Sequence, residues 1–281
     1  MGGLADATNI IAAPALCVIT PIDLDHVGAL GGDLTAIARH KAGILKAGAP
    51  AIVARQERTV ADVIAARADE VGAPLLLHGR DWDAYAQGGR LVVQTETRLF
   101  DLPKPAMHGA HQIDNAGLAI VAMATWLRAL NDDACARAIA AAHAPARLMR
   151  VATAQGEAWI DGAHNAHGAR ALAHALDELN ARAPRPLILI IGMLDRKDPA
   201  AFLAPLAPGA EAIIATQICG AACIAPTDLC AAASKLGART EAAVSLADAL
   251  ARARANEARI VICGSLALAG EAYRLFGLSV D

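Results

Sequence analysis

Two continuous apolar runs that end in glycine constrain the fold more than any other feature of the sequence. They are "PLILIIG", residues 186–192, and "ARIVICG", residues 258–264. A strand that is apolar at almost every position is covered on both faces, which is typical of a parallel sheet with helices on either side. Both runs therefore predict buried strands of an α/β fold.

Short apolar runs alternate with helical patterns along the rest of the chain, as they do in βαβ units. Predicted strands occupy residues 15–20, 50–54, 74–77, 91–94, 148–153, 157–160, 187–191, 211–215 and 259–263. Predicted helices occupy residues 33–46, 59–71, 111–130, 132–142, 165–180, 198–204, 227–236, 245–255 and 265–276. This alternation predicts an α/β architecture with parallel sheets.

A domain boundary is predicted near "AAHAPARL", residues 141–148, where a helical segment ends, a proline follows and a new series of strands begins. It divides the chain into residues 1–145 and 146–281, and the second part has a normal size for one domain. The first part opens on "GGLADATN", which reads as a loop with no predicted strand or helix before it.

The composition argues against nucleic-acid and membrane partners. The net charge is −3 and the sequence has no runs of Arg or Lys. The N-terminus lacks the basic start of a signal peptide, and the apolar stretch "GLAIVAMATWL" is too short to span a bilayer. We therefore expect a soluble, cytoplasmic protein.

The six cysteines are expected to be reduced and mostly buried, as in cytosolic proteins. None of them forms a CxxC pair. Cys219, Cys223 and Cys230 are close in sequence, but their spacing fits no standard zinc site.

Polar side chains follow the first predicted strand, at the edge where open α/β sheets bind ligands. They are Thr20, Asp23, Asp25 and His26. A histidine in a loop is either solvated or, as a neutral imidazole, competent to bind a metal ion. The pattern leaves both interpretations of His26 open.

The helix predicted after this loop places a lysine on its apolar face. Leu34, Ile37, Lys41, Ile44 and Leu45 share that face at helical spacing. Burial would lower the pKa of the amine, because it disfavours the charged form. Lys41 either extends its amine to the rim or remains a neutral nucleophile that can react with carbon dioxide to form a carbamate.

Two further segments carry polar side chains at predicted helix starts. In "HGAHQIDNAGLAI", residues 108–120, His111 and Asn115 share a helix face next to Gln112. These side chains suit phosphate or adenine contacts at a helix N-terminus, or ordinary capping in solvent.

In "EAWIDGAHNAHGARALAHAL", residues 157–176, Asp161 ends a strand, Gly162 allows a tight turn, and His164 and Asn165 follow. Such a strand–turn–helix is a candidate nucleotide contact. Arg147 suits a phosphate partner, because its charge is permanent and forked. The sequence contains no G-x-x-x-x-G-K-[ST] and no G-x-G-x-x-G string, so neither a P-loop nor a nicotinamide site is supported.

Taken in order, several strings resemble one family, the bifunctional dihydrofolate synthase/folylpolyglutamate synthases of the Mur ligase superfamily. The strings are "GGLADATN", "ITPIDLDHVGALG", "IARHKAGILK", "HQIDNA", "PARL", "DGAHNAHGARAL", "GMLDRKD" and "VICGSLALAGE". The resemblance implies that residues 1–145 are a remnant of a P-loop-type central ATPase domain. It also implies that residues 146–281 are a Rossmann-like C-terminal Mur ligase domain.

The activity implied by the resemblance is ATP-dependent amide ligation. A carboxylate of dihydropteroate or folate takes the γ-phosphoryl group of ATP, and the amine of L-glutamate displaces phosphate from the resulting acyl phosphate. Magnesium neutralises the phosphate charge. Carried over residue by residue, the resemblance implies that His26 binds magnesium, that Lys41 is carbamylated and that His164 is a nearby catalytic histidine. It implies that the ATP contacts are Asn115, Arg147 and Asp161. It also implies that the pterin substrate contacts Ala5, Asp6 and Ala7.

The sequence also departs from the family pattern. The family's P-loop, G-T-N-G-K-G-S, lies upstream of the segment at which this chain begins, as do a serine and a glutamate that bind magnesium. Ala146 replaces the glycine of a P-G-R string, Ala166 replaces the proline of "DGAHNPH", and His40 replaces an acidic residue.

Two hypotheses follow. The chain is the C-terminal portion of a folate–glutamate ligase, with negligible activity in isolation because the P-loop is missing. Alternatively, it is a non-catalytic remnant that binds nucleotide or serves as an interaction module. We expect a monomer for the complete protein, and association of residues 1–145 through an exposed sheet edge.

Overall fold

The computed structural model describes residues 3, 7–23, 33–127, 129–153, 156–253 and 258–279. The chain folds as two compact units. Unit 1 comprises Met1–Ala106 and His111–Ala142, and unit 2 comprises Met107–Ala110 and His143–Asp281. The assignment of the two parts of the chain to an ATPase domain and a ligase domain stays a prediction.

A three-stranded parallel sheet lies at the centre of one half of unit 1. Its strands are β1 (Cys17–Ile19), β2 (Ala51–Val53) and β3 (Leu75–Leu77), in that spatial order. Helices α1 (Leu34–Ala42) and α2 (Arg58–Val71) pack against it through a buried apolar cluster. The sequence predicted all five elements, but α1 ends four residues before the predicted helix end.

Among the described residues, β1 forms an edge of this sheet. Val18 on β1 is exposed, as are Ile10 and Ile11 just before it in the chain. An apolar sheet edge of this kind favours association. Association of residues 1–145 remains a prediction.

The other half of unit 1 is antiparallel, so the expectation of parallel sheets is wrong here. Strands β4 (Trp82–Gln87), β5 (Arg90–Thr95) and β6 (Leu99–Pro103) form a meander. Helices α3 (His111–Trp126) and α4 (Asp132–Ala141) pack against it. The sequence missed β4 and β6 because polar residues interrupt both strands.

The turn between β4 and β5 contains a sequence signal that predicts this hairpin. Gly88 and Gly89 have positive φ angles of 58° and 78°, which residues with a side chain rarely adopt. A two-residue Gly-Gly loop is a strong hairpin signal. It predicts an antiparallel pair around residue 88, whatever the polarity of the flanking strands.

Unit 2 is built on a six-stranded sheet with the order β11-β10-β9-β12-β8-β7. Only β7 is antiparallel to its neighbour. The strands are β7 (Met149–Thr153), β8 (Gly156–Ile160), β9 (Leu187–Ile191), β10 (Ala212–Thr216), β11 (Thr240–Ala243) and β12 (Arg259–Cys263). The helices are α5 (Ala166–Arg182), α6 (Pro199–Leu203), α7 (Pro226–Ser234), α8 (Leu246–Arg252) and α9 (Leu266–Leu275).

The two apolar runs occupy adjacent central strands, β9 and β12, as expected for strands covered on both faces. Leu189, Ile191 and Val261 belong to the apolar cluster on one face of the sheet, whereas Ile190 and Ile262 belong to the cluster on the other. Successive side chains of a strand point to opposite faces. The continuous apolar pattern is therefore explained by two separate cores.

No helix in the described ranges is long and apolar enough to cross a membrane. All six cysteines are free thiols, but only Cys17, Cys135 and Cys263 are buried, and Cys219 is exposed. The expectation of mostly buried thiols therefore holds for half of them.

A buried arginine connects α5 to the central strand β12. The guanidinium of Arg259 donates to the carbonyl oxygens of Ala183, at 2.9 Å, and Leu179, at 3.5 Å, and to Oδ1 of Asn180, at 3.4 Å. Burial lowers the pKa of this guanidinium, and the charge of Glu157 partly opposes that shift. Arg259 thus satisfies carbonyl groups at the C-terminal end of α5, where intrahelical donors are lacking.

We predict that Arg259→Met lowers the free energy of unfolding by about 2–3 kcal/mol, because hydrogen bonds from a charged donor are lost and buried carbonyls are left without partners. Urea unfolding followed by circular dichroism measures the change. Arg252→Met is the matched control, because Arg252 pairs with Asp248 at the exposed end of α8. Equal unfolding midpoints for the two variants would contradict the assignment.

Candidate functional site

In unit 1, a glutamine after β2 holds the chain that leaves β1. Oε1 of Gln56 accepts a hydrogen bond from the backbone N–H of Ile22 at 2.9 Å, and its Nε2 donates to the carbonyl oxygen of Thr20 at 3.0 Å. Asp23 follows immediately, whereas Asp25 and His26 lie outside the described residues. Gln56 is not among the residues predicted from the sequence, although it stands at the carboxyl end of a buried strand, where polar side chains often bind ligands.

Lys41 is exposed, so of the two alternatives left open by the sequence, burial of its amine is the one that the structure does not show. Ile37, Ala38 and Ala42 are buried on α1, and Lys41 lies between them by helical position. A lysine can cover an apolar helix face with its methylene groups while its amine reaches water. The structure therefore favours an amine that extends to the rim of the helix face, and carbamylation of Lys41 stays a prediction.

Two of the strings that carry the family resemblance meet at the end of α1. A Cβ atom on Gly3 would lie 2.5 Å from the carbonyl oxygen of Lys41, so the close approach requires glycine. Nδ2 of Asn9 donates to the carbonyl oxygen of Gly43 at 3.3 Å. Ala7 begins a 3-10 helix, Ala7–Ile10, while Ala5 and Asp6 lie outside the described residues.

The first turn of α3 carries a chain of three polar side chains. Nδ2 of Asn115 donates to Oε1 of Gln112 at 3.2 Å, and Nε2 of Gln112 lies 3.0 Å from Nε2 of His111. Gln112 is buried, whereas Asn115 is exposed. Because the Gln112 oxygen is the acceptor for Asn115, its amide nitrogen is the donor to His111. The buried glutamine thus orients both of its neighbours.

A second polar cluster in unit 1 surrounds His78, which directly follows β3. Its side chain is fully buried, with Nε2 3.2 Å from Oδ1 of Asp83, 3.9 Å from Oδ1 of Asp114 and 3.5 Å from a guanidinium nitrogen of Arg55. The ring of Trp82 packs edge-on at 4.5 Å. Nδ1 of His78 is buried and has no hydrogen-bond partner among the residues that the structure describes. Burial lowers the pKa of His78, the charge of Arg55 adds to this, and the two aspartates oppose it.

In unit 2, the carboxylate of Asp161 joins two backbone turns at the end of β8. Oδ2 accepts from the N–H of Leu148 and Oδ1 accepts from the N–H of Ala163, both at 2.8 Å. The N–H of Gly162 donates to the carbonyl oxygen of Ala146 at 2.8 Å. The Asp161 carboxylate and the "PARL" turn are therefore one structural unit, which the sequence predicted only as two separate candidates.

Arg147 lies in this turn between two residues in the left-handed conformation. The φ angle is 55° at Ala146 and 44° at Leu148, which is unfavourable for residues with a Cβ atom. Both flanking residues are buried, whereas Arg147 is exposed. The turn therefore presents the guanidinium outward from a fixed backbone.

His164 and Asn165 complete the turn that follows β8. Nδ1 of His164 lies 2.9 Å from the carbonyl oxygen of Gly162, which can only accept, so Nδ1 is the donor. Oδ1 of Asn165 accepts from the N–H of Gly168 and caps α5. The structure brings Arg147, Asp161 and His164 together, whereas Asn115 and Lys41 belong to unit 1.

The neighbouring strand β12 ends against the same turn. Gly264, with φ of 105°, donates its N–H to the carbonyl oxygen of Ala163 at 2.9 Å, and a Cβ atom here would lie 2.7 Å from the carbonyl oxygen of Gly192. Burial raises the pKa of the Cys263 thiol, and the charge of Asp161 adds to that shift. Cys263 is therefore a protonated core residue.

No three His, Cys, Asp or Glu side chains are grouped as a metal site within the part of the chain that the structure describes. His26 is outside that part. Nucleotide contact by Asn115, and by the turn that carries Arg147 and Asp161, stays a prediction.

Comparison with known proteins gives consistent matches. A family model described as "Dihydrofolate synthetase, C-terminal domain" matches residues 146–275. The chain is 35% identical over 233 residues to the dihydrofolate synthase/folylpolyglutamate synthase of Mycobacterium tuberculosis, covering 77% of this chain and 47% of that protein. It is 34% identical over 211 residues to the folylpolyglutamate synthase of Lacticaseibacillus casei, covering 72% and 48%. The chain thus spans about half the length of the curated relatives it matches.

Solved structures are similar over the whole of this chain. The Mycobacterium tuberculosis folylpolyglutamate synthase complexed with ADP and AMPPCP has a TM-score of 0.86 and 31% identity, covering 100% of this chain and 68% of that one. Escherichia coli FolC in complex with DHPP and ADP has a TM-score of 0.86 and 28% identity, covering 99% and 64%. The α/β fold predicted from the sequence is confirmed as that of these proteins, while the P-loop-type origin of residues 1–145 stays a prediction.

The His78 cluster gives a pH prediction for stability. Because the pKa of His78 is lower in the folded chain than its usual value of about 6.5, the unfolded chain binds more protons below that pH. The contribution of His78 is complete above pH 6.5 and decreases as the pH falls through the lowered pKa. We expect His78→Gln to lose this part of the pH dependence.

Urea unfolding at pH 7.5 and pH 5.5 measures the effect, with tryptophan fluorescence as the signal because Trp82 contacts the ring. His174→Gln is the control, since His174 is an exposed residue of α5. If His78→Gln and His174→Gln retain the same pH dependence as the unaltered chain, buried neutral His78 is not its source.

Proposed function

Because the chain belongs to the dihydrofolate synthase/folylpolyglutamate synthase family, we propose that it is the C-terminal part of an ATP-dependent glutamate ligase. Its substrates are L-glutamate and dihydropteroate, (tetrahydro)folate or both. The observation that carries the proposal is the Arg147–Asp161 turn, in a chain whose fold matches relatives solved with ADP.

Arg147 and Asn115 have the exposure and chemistry that nucleotide contacts need. A guanidinium that extends from a fixed turn can make charged, forked hydrogen bonds to phosphate. The exposed carboxamide of Asn115 can pair with the N6 and N7 edge of adenine, and the hydrogen bond from its Nδ2 to Gln112 fixes the orientation of the group. Asp161 is also proposed as an ATP contact, while both of its oxygens accept backbone N–H groups.

The proposed reaction activates a carboxylate and then forms an amide. The substrate carboxylate takes the γ-phosphoryl group of ATP and ADP leaves. The glutamate amine then attacks the acyl phosphate, phosphate leaves, and the amine loses a proton. His164 and Lys41 are the side chains that we propose near this chemistry. Nδ1 of His164 donates to the carbonyl oxygen of Gly162, which fixes the orientation of the ring.

Magnesium is the ion that such a reaction uses to neutralise phosphate charge. His26 is the ligand proposed in this chain. The described residues contain no metal-binding cluster, so they do not by themselves fit a magnesium site, and the remaining ligands are expected in the part of the family fold that this chain does not cover.

We predict that the chain in isolation binds ADP but shows negligible ligation of L-glutamate to dihydropteroate. The absence of even one preorganised charge-stabilising contact lowers a rate by about 10²–10³-fold, and the P-loop supplies several. Measurable ATP- and glutamate-dependent turnover by the purified chain would refute the predicted inactivity.

Binding is tested separately by calorimetric titration with ADP. Arg147→Ala should weaken the affinity by about tenfold, since a charged hydrogen bond to phosphate is lost. Arg150→Ala is the control, because Arg150 is exposed and pairs with Glu157. If the unaltered chain does not bind ADP, or if the two variants lose affinity equally, Arg147 is not a nucleotide contact.

Mixing the chain with the P-loop-bearing N-terminal part of a relative distinguishes the two hypotheses of the sequence analysis. Restored ligation supports the ligase. ADP binding that persists without ligation in such mixtures favours a non-catalytic nucleotide-binding module.

A further inference from the structure

The turn that carries Arg147 is strained and is held from two sides. Ala146 and Leu148 both have left-handed φ angles, 55° and 44°, and neither is glycine. Backbone of this kind persists only where the surrounding structure fixes it, and such residues cluster at functional sites. On one side, the carboxylate of Asp161 binds the N–H of Leu148.

The other side is held by a tyrosine from the last helix. Oη of Tyr273, on α9, accepts a hydrogen bond from the N–H of Ala146 at 3.1 Å and donates to Sδ of Met149 at 3.0 Å. Tyr273 is 5% exposed and Ala146 is 4% exposed, so water does not readily replace either partner. The hydroxyl thus uses both its donor and its acceptor capacity on the two ends of the segment from Ala146 to Met149.

We propose that Tyr273 is a positioning residue for Arg147. Its hydroxyl fixes the left-handed Ala146 while Asp161 fixes the left-handed Leu148, and the guanidinium between them points in one direction as a result. The inference rests on the proposed function in that Arg147 is the phosphate contact being positioned. The residue that it adds to the site is Tyr273, which touches no substrate and acts through the backbone.

Limited proteolysis with trypsin tests the proposal, because trypsin cleaves after arginine and cleaves slowly within a rigid turn. Tyr273→Phe keeps the aromatic ring in the core but leaves the buried N–H of Ala146 without a partner. We expect cleavage of the Arg147–Leu148 bond to rise about 3–10-fold, with cleavage after Lys235 unchanged. Tyr85→Phe is the matched control, because Tyr85 is an exposed tyrosine of β4.

A second variant separates positioning from general packing. Glycine adopts φ near 55° without the penalty that a Cβ atom imposes. In the double variant Tyr273→Phe/Ala146→Gly, we therefore expect the cleavage rate after Arg147 to fall back toward that of the unaltered chain. Loss of core packing by Tyr273→Phe would raise cleavage at many sites, and glycine at residue 146 would not reverse it.

ADP affinity is measured on the same variants. The proposal predicts weaker binding by Tyr273→Phe, by about 3–10-fold, and recovery in the double variant. If the unaltered chain does not bind ADP, the proposed function fails for this chain, and the proteolysis result still decides whether Tyr273 fixes the turn. Wild-type cleavage of the Arg147–Leu148 bond in Tyr273→Phe, or a rise that glycine fails to reverse, overturns the inference.

Discussion

The Asp161 carboxylate is the interaction on which the site in unit 2 depends. Asp161 directly follows the buried strand β8. One of its carboxylate oxygens accepts from the N–H of Leu148, just before β7, and the other accepts from the N–H of Ala163, just after β8. A single anion therefore sets the backbone of the Arg147 turn and of the turn that carries His164. Charge-assisted hydrogen bonds of this kind are short and directional, so they can hold residues that would otherwise relax from the left-handed region.

In unit 1, uncharged polar side chains hold nearby groups by hydrogen bonds in a similar way. Gln56 binds the two backbone groups of the segment that follows β1, and buried Gln112 orients His111 and Asn115. In both units, the groups with exposed, chemically useful atoms are supported by a polar residue that is either buried, as Gln112 is, or half-buried, as Asp161 and Gln56 are. Such support keeps a site organised in the absence of ligand, which reduces the ordering required on binding.

The sequence was sufficient for most of the fold because its strongest signals are local. Apolar runs identified β9 and β12, and helical periodicity located α2, α3 and α5 to within a few residues. The antiparallel meander was missed because β4 and β6 carry polar residues, and β11, "TEAA", has too little apolar character to register as a strand.

The site was predicted less completely because its supports are distant in sequence. Tyr273 is 127 residues from the Ala146 that it holds, and Gln56 is 34 residues from Ile22. Motifs could indicate Arg147 and Asp161 as candidates, but no spacing rule connects them to these partners. Helical position placed Lys41 on the apolar face of α1, but it could not determine where the long flexible side chain ends.

The most direct test of this account is amide hydrogen exchange at Leu148 and Ala163 in Asp161→Asn. The asparagine keeps the size of the side chain but has one acceptor oxygen, so at least one N–H loses its partner. The account predicts faster exchange at Leu148, Ala163 or both, together with weaker ADP binding than in the unaltered chain. Unchanged exchange at both amides would contradict the claim that Asp161 joins the two turns.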